Sequence, residues 1–531
     1  MNLYLLTAAA IVLLCVFLNK LSDKIGIPML LAFILLGMLF GTDGILKIHF
    51  ENFQFAEQIC SIALIFIMFY GGFGTNWKTA RPVALKAFLL STIGVVLTAF
   101  LTGIFCYLVL GFSWLESLLL GSVIGSTDAA SVFSILRSKK MGLKYHTDSL
   151  LELESGSNDP SSYMLTMIVL TIMTSEVTAG SIFRMIIFQF GFGILVGLGM
   201  AAAARFVLEK VTFTTAGFDM AFVTGTALLT YSFSSMLGGN GYLSVYLCGI
   251  LLGNTKIHNK KSLVNFFDGI TGLMQMLIFF LLGLLSTPSE IPKILIPALL
   301  IFLFLTLIAR PLSVSAILSP FRCKRNQQLL VGFSGLRGAA SIVFAIMAAI
   351  HPAALSQDMF HIVFCIVLLS IALQGSLLPA VAKKFTMTDT EADVMKTFSD
   401  YDEAGDLHCF QVTVPKGHAW AGKTLQDIVL PPETLIILII RNDTRIIPDG
   451  QTRFVPGDTA VISAYSFHGS QMMQLREQKI TAGSSLADRP LHEFPSESGE
   501  LVVMILRNDK AIVPGGDTII RRDDTLVIHS A

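Results

Sequence analysis

The residues with most capacity for chemistry lie in apolar surroundings. The stretch LLELESGSNDPSSYML gathers Glu154, Ser155, Asn158 and Asp159 within two helical turns. Helical spacing sorts them: Ser155 and Asp159 are i,i+4, as are Glu154 and Asn158. One face offers carboxylate plus hydroxyl, the neighbouring face carboxylate plus amide. Pro160 has no N–H, so in a continuous helix the Gly156 carbonyl loses its donor and becomes available to a ligand or water. Carboxylate, hydroxyl and freed carbonyl oxygens are what a hard, partly dehydrated alkali cation requires. The competing reading is a polar cluster that glues helices together.

Two further segments place a charge among small residues: GSTDAAS at 125–131 and SGLRGAAS at 334–341. With Arg310 they bring the ionisable residues well inside apolar stretches to five: Asp128, Glu154, Asp159, Arg310 and Arg337. A charge at bilayer depth costs at least a few kcal/mol, so each needs a partner or a function. At ~1.5 Å of rise per residue, Asp159 and Arg337 lie ~16 and ~14 Å into their stretches, near the midplane. Arg337 cannot lose its proton and must have a counter-ion, which either Glu154 or Asp128 could provide, leaving a carboxylate free to titrate. Removal from water favours the neutral form of such a group. If Asp159 is the free one, it holds H⁺ or a metal cation but never both, and exchanges them by competition. One titrating carboxylate implies one proton per cation and no net charge moved. Arg310, followed by Pro311, reads as structural.

The elements that must position these groups are membrane helices. Of the 531 residues 53% are apolar and 14% charged, too greasy for a soluble enzyme of this size. The 37 basic and 37 acidic residues cancel, so no basic surface points to nucleic acid. The balance hides a split: 24 basic against 16 acidic residues up to position 385, and 13 against 21 beyond it. Apolar stretches long enough to cross ~30 Å of hydrocarbon recur thirteen times, near 3–19, 25–41, 56–73, 84–110, 115–137, 148–174, 182–208, 219–236, 241–253, 267–286, 293–317, 328–350 and 358–382. The first has no basic residue before it, unlike a cleavable signal peptide, and reads as a retained helix. With the N-terminus outside, alternate loops carry 19 Lys and Arg against three on the other side, which predicts a cytoplasmic tail. The charged small-residue segments fall in the fifth and twelfth spans. That offset makes two inverted six-helix halves, a transporter design in which interrupted helices cross at the midplane. Gly37/Gly41 and Gly249/Gly253 read as close-packing positions. The seven cysteines lie far apart with no metal-binding spacing and read as packing residues.

Here the sequence resembles the monovalent cation:proton antiporters, in the branch with an Asn-Asp pair on the sixth helix. The resemblance covers residues 1–385 and rests on GSTDAAS, ESGSNDP and GLRGAAS in order and spacing. It implies that Asp159 binds the ion and the proton with Asn158 beside it. Ser155, Thr127 and Asp128 would line the site, and Glu154 and Arg337 would form an ion pair that holds Asn158. It implies no cofactor, K⁺ or Na⁺ and H⁺ as substrates, a bacterial cytoplasmic membrane, and a homodimer in which a core bundle moves against a dimerisation domain. Some members have Pro after the fifth-helix Asp, where this chain has Ala129.

The remainder divides into an acidic linker, 386–408, and two copies at an offset of 66, taken as 409–470 and 471–531. LQDIVLPPETLIILIIRNDTRIIPDGQTRFVPGDTAVIS (425–463) matches LHEFPSESGELVVMILRNDKAIVPGGDTIIRRDDTLVIH (491–529), with Arg441-Asn442-Asp443 on Arg507-Asn508-Asp509. These short β-rich units with a small helix resemble the TrkA-C regulatory module in tandem. The expected fold is therefore an all-α polytopic membrane domain of about 13 helices followed by a small α/β domain of two repeats. GHAWAGKT (417–424) matches the phosphate-binding loop pattern, but Gly422 and Lys423 become Asp488 and Arg489 in the second copy. ATP hydrolysis is thus not expected. Modules of this kind in some bacteria bind cyclic di-AMP, which is an expectation for the tail. K⁺ is favoured over Na⁺ because such modules accompany potassium systems. A cation channel gated by the tail and a non-transporting pH sensor are the alternatives. No TVGYG-like filter supports the channel.

Overall fold

The computed structural model describes the chain apart from residues 1–5, 7–8, 19–27, 129–130, 133–134, 137–140, 175–177, 212–216, 256, 258–259, 354, 390–406, 433, 442–443, 466–473, 481–485, 494–499, 508–509, 513 and 531. Ala129, Asn442, Asp443, Asn508 and Asp509 therefore lie outside the described residues, as does most of the linker. The chain divides into two units, Met1–Glu403 and Ala404–Ala531.

The first unit is helical because its apolar runs must satisfy their backbone groups internally. In order come α1 (Ala9–Leu18), α2 (Met29–Phe40), α3 (Phe53–Gly74), α4 (Trp77–Leu110) and α5 (Trp114–Val123). Further along the chain follow α6 (Thr147–Thr174), α7 (Ala179–Lys210), α8 (Phe218–Met236), α9 (Gly241–Gly253), α10 (Lys260–Leu285) and α11 (Pro288–Leu318). The last are α12 (Arg325–Phe333), α13 (Ala339–Ile350) and α14 (Met359–Lys384). Six of these, α3, α4, α7, α10, α11 and α14, are long and apolar enough to cross a membrane. Exposed Leu108, Phe183, Leu195, Ile296 and Leu307 on α4, α7 and α11 give those helices an apolar outer face. That face suits lipid rather than water.

Packing separates two groups of helices. α9 packs on α3, α7 and α8, and α10 on α2 and α3; α5 packs on α4 and α6, and α11 on α12 and α14. Backbones touch in the first group where the expected glycines lie. A Cβ at Gly37 would strike the Phe280 carbonyl oxygen, and one at Gly249 or Gly253 the carbonyl oxygen of Phe69 or Phe73. The six described cysteines are free, and five of them are buried.

Two spans are interrupted. α5 stops at Val123, and residues 126–128 have no regular structure; α12 and α13 are separated by Ser334–Gly338. The breaks touch, because the Asp128 N–H donates to the Leu336 carbonyl at 2.8 Å. The start of the expected linker is not free in solvent. Met387 is buried, and β2 (Thr388–Asp389) pairs antiparallel with β1 (Gly142–Leu143).

The second unit holds two antiparallel four-stranded sheets. One has β3 (Leu407–Thr413), β4 (Leu435–Arg441), β5 (Thr444–Ile446) and β6 (Thr459–Tyr465), in the order β3-β6-β4-β5. The other has β7 (Gln474–Lys479), β8 (Glu500–Arg507), β9 (Lys510–Ile512) and β10 (Thr525–Ser530), in the order β7-β10-β8-β9. The helix expected in each copy is only a three-residue 3₁₀ turn, Leu425–Asp427 and Leu491–Glu493. In the first copy Pro431 and Pro432 follow too closely for more. Each sheet is braced by an ion pair between a partly exposed arginine and a buried aspartate. Arg441 Nε and Nη2 donate to Asp458 at 2.8 Å, and Arg507 makes the same bonds to Asp524 at 2.8 and 2.7 Å.

The phosphate-loop pattern is a turn. Gly422 has a φ of +81° and its copy Asp488 a φ of +64°. Their N–H groups donate to Phe454 and Ile520 carbonyls at 2.9 and 2.8 Å. Lys423 O and Arg489 O accept the return bonds. Backbone amides spent on chain pairing cannot cradle a phosphate.

Candidate functional site

The expected residues meet where α6 passes the two breaks. Glu154, Asn158 and Asp159 of α6 are buried, as are Thr127 beside the first break and Arg337 in the second. α6 runs straight through Pro160. The proline's own carbonyl accepts from Asn240 Nδ2 at 2.8 Å.

Asn158 is the brace of the first break. Its Nδ2 donates to Thr127 Oγ1 at 2.6 Å and to Glu154 Oε1 at 3.0 Å, while its Oδ1 accepts from the Thr127 N–H at 3.2 Å. An amide so committed holds the unwound chain in place beside Asp159. Ser155 completes the tie: its Oγ donates to the Thr127 carbonyl at 2.5 Å and lies 3.0 Å from Thr127 Oγ1.

The ion pair differs from expectation. Glu154 pairs with Arg310, not with Arg337: Arg310 Nη2 is 2.8 Å from both carboxylate oxygens, and both side chains are 1% exposed. Arg337 instead donates from Nη1 to the Ser126 carbonyl at 2.5 Å. Both placements have a physical reason. Arg310 follows a widened π-helical turn, Leu305–Ala309, and runs beneath Gly335, whose missing side chain leaves it room. Arg337 sits just past the end of α5, where unpaired carbonyls favour a cation. Asp128 has the opposite placement. Its Oδ2 accepts from Ser131 Oγ at 2.5 Å, and a Cβ on Gly338 would run into it. The carboxylate thus lies at the positive N-terminus of α13.

Neutral groups that the sequence reading did not single out complete the scaffold. Ser370 Oγ accepts from the Arg337 N–H at 3.0 Å and donates to Gln374 Oε1 at 2.9 Å. Gln374 Nε2 donates to the Phe333 carbonyl at the end of α12. Both lie on a π-helical turn of α14, Ser370–Gly375. Ser126 faces Ser341 at 3.4 Å. The available signal was an uncharged polar residue inside an apolar span, which many packing residues share.

Asp159 remains. It is 6% exposed, and its Oδ1 finds no hydrogen-bond partner among the described residues. Glu154 is neutralised by Arg310, and Arg337 is engaged elsewhere. The geometry therefore leaves one buried carboxyl oxygen with no protein donor, beside Ser155 and the crossing of two broken helices.

Comparison with known proteins gives the family. Residues 9–384 match the model of the sodium/hydrogen exchanger, transmembrane family. Residues 409–468 and 475–529 each match the TrkA-C domain. The K(+)/H(+) antiporter NhaP2 of Shewanella baltica is 33% identical over 463 residues, covering 86% of this chain and 80% of the relative. The K(+)/H(+) antiporter NhaP of Alkalimonas amylolytica is 37% identical over 384 residues, covering 72% and 67%. Among solved structures, the sodium proton antiporter MjNhaP1 of Methanocaldococcus jannaschii at pH 8 superposes with a TM-score of 0.64 at 24% identity, over 72% of this chain and 99% of that one. The chain belongs to the sodium/hydrogen exchanger family of membrane antiporters and carries two TrkA-C domains behind its helical part.

Proposed function

We propose that this antiporter exchanges K⁺ for H⁺ across the bacterial cytoplasmic membrane, one for one and without net charge, with Asp159 as the shared site. It is a secondary transporter, not an enzyme. The observation that carries the reading is the Asp159 Oδ1, buried without a donor among the described residues while Glu154, earlier on α6, is tied to Arg310. A single free carboxyl supports competition between one proton and one monovalent cation, with Ser155, Thr127 and Asp128 lining the place. K⁺ is favoured over Na⁺ by the relatives named K(+)/H(+) antiporters.

The finer architecture belongs to the same proposal. On this reading there are thirteen crossings with inverted halves, the N-terminus outside and the tail in the cytoplasm, which the loop charges support. The α5, α6, α12 and α13 bundle moves against a dimerisation group in a homodimer. Residues 1–385 transport, 386–408 link, and repeats 409–470 and 471–531 regulate, through cyclic di-AMP or another small ligand. No cofactor takes part.

Sealed vesicles holding the purified protein test this. With a pH gradient imposed, addition of K⁺ should move internal pH without creating a membrane potential. Uptake of K⁺ with no proton movement would make the chain a channel. No flux for K⁺ or Na⁺ would make it a sensor.

A further inference from the structure

Asp159 stands between two unlike neighbours. At 3.6 residues per turn it lies about 40° around α6 from Ser155 and about 60° from Gly156 on the other side. The Ser155 side faces Thr127 at the break. The Gly156 side faces α9. A Cβ on Gly156 would come 2.7 Å from the Tyr246 ring and 2.8 Å from its hydroxyl oxygen. The phenol therefore occupies the space that a side chain of α6 would fill, one turn from Asp159.

Tyr246 is buried, at 2% exposure, and its hydroxyl, which has the Ser157 and Thr75 side chains as neighbours, makes no well-formed hydrogen bond among the described residues. Asp159 Oδ1 is in the same condition. Buried polar atoms are rarely left so, and here two oxygens on one side of α6 share the state. Tyr242, one turn along α9, also has an unpartnered hydroxyl. Its surroundings differ, being the rings of Tyr163, Tyr231 and Phe344 at 5.2, 5.0 and 6.4 Å. Of the two phenols, only Tyr246 lies against a residue with no side chain.

We infer that Tyr246 is a further ligand of the transported cation, a neutral oxygen from α9 opposite the Ser155 and Thr127 side of Asp159. The inference rests on the antiport reading given above. A phenol oxygen adds to the coordination of an alkali cation without altering the charge balance at Asp159. It sets cation affinity and the preference between ions, and leaves proton stoichiometry alone. Because α9 packs on α3, α7 and α8, this ligand comes from the other helix group than Ser155.

The test is Y246F in the full chain, reconstituted in vesicles, with K⁺ and Na⁺ each titrated as the sole alkali cation. Losing one neutral ligand should raise the KM for K⁺ about three- to tenfold. The K⁺-to-Na⁺ preference should change, while maximal rate and pH profile at saturating cation persist. G156A supplies a second arm: its methyl group must displace the phenol and should raise KM with the hydroxyl still present. Y242F should leave KM where it was. Unchanged KM and ion preference in Y246F overturn the inference, as does an equal fall in maximal rate for both ions with KM untouched. If Y246F does not insert, an unchanged KM in G156A is decisive against it. Absence of exchange in the wild-type vesicles would instead bring down the antiport reading. Wild-type exchange matched by Y246F would remove Tyr246 alone.

Discussion

Arg310 and Glu154, 156 residues apart in sequence, meet through one guanidinium nitrogen that lies 2.8 Å from both carboxylate oxygens, with water excluded from both side chains. The pair neutralises one of the two acids that α6 brings to the breaks. It thereby decides which carboxyl remains to do work.

Removing one partner should be far worse than removing both. R310M strands a buried carboxylate and should lower stability by about 3–5 kcal/mol, whereas the double variant R310M/E154Q should recover much of that loss. Thermal unfolding of the purified protein provides the measure. A double-mutant cycle between Glu154 and Arg337 should give a coupling well below that between Glu154 and Arg310. The reverse order would restore the pairing expected from sequence.

D159N should fold and insert as the wild type does, because no protein donor loses its acceptor at Oδ1. Its exchange should fall to the level of empty vesicles. Retained exchange with the wild-type pH profile would remove Asp159 from the centre of the mechanism.

What was legible before the fold, and what was not, follows from these residues. Charges among small residues at mid-span mark Asp128 and Arg337 because an unpaired charge in hydrocarbon is costly, and both do lie at breaks. Depth along a helix says which groups share a level, but not which way they point. Depth alone therefore leaves Arg337 either Glu154 or Asp128 as counter-ion, the resemblance implies Glu154, and the side chain turns instead to the Ser126 carbonyl. The cost that flagged Arg337 applied equally to Arg310, whose neighbour Pro311 invited a structural reading. Its direction is set by the π-helical turn before it and by the space over Gly335, neither of which leaves a periodic trace. The tail was legible for another reason. Its copies repeat the brace: Arg441 with Asp458, and Arg507 with Asp524, differ by 66 in both members.

That brace predicts acid sensitivity of the tail. The Arg441 hydrogen bonds hold the Asp458 carboxyl below its usual range, and Arg507 does the same for Asp524. A carboxyl depressed in the folded state contributes stability above its unfolded value of about 4, and this is lost as pH falls through the folded value. In R441Q, Asp458 stays buried with fewer donors. The first sheet should lose about 1–3 kcal/mol at neutral pH, and this deficit should shrink as pH falls through the folded value of Asp458, where the wild type loses the same contribution. Hydrogen exchange of the β4 and β6 amides in the full chain reads both effects, and R507Q should act alike on β8 and β10. Equal acid sensitivity of variant and wild type would show the brace to be idle.

The glycines between α3 and α9 yield a prediction whose sign is set by two opposed effects. Alanine in place of a helical glycine gains up to about 1 kcal/mol from backbone propensity. At Gly199 on α7 nothing lies within 4 Å of the added Cβ, so G199A should be neutral or slightly stabilising. At Gly249 the same methyl group meets the Phe69 carbonyl oxygen and, at 3.0 Å, the Phe73 nitrogen. Those are backbone atoms that cannot swing aside, and overpacking of this kind costs about 1–3 kcal/mol. The clash exceeds the propensity gain, so G249A should lower the unfolding midpoint while G199A does not. The helices must then part, and Tyr246, one turn before Gly249 on α9, moves relative to Gly156. Cation KM should therefore rise in G249A and remain unchanged in G199A; a destabilised G249A with wild-type KM would mean that the α3–α9 contact holds the fold without setting the distance from α9 to Asp159.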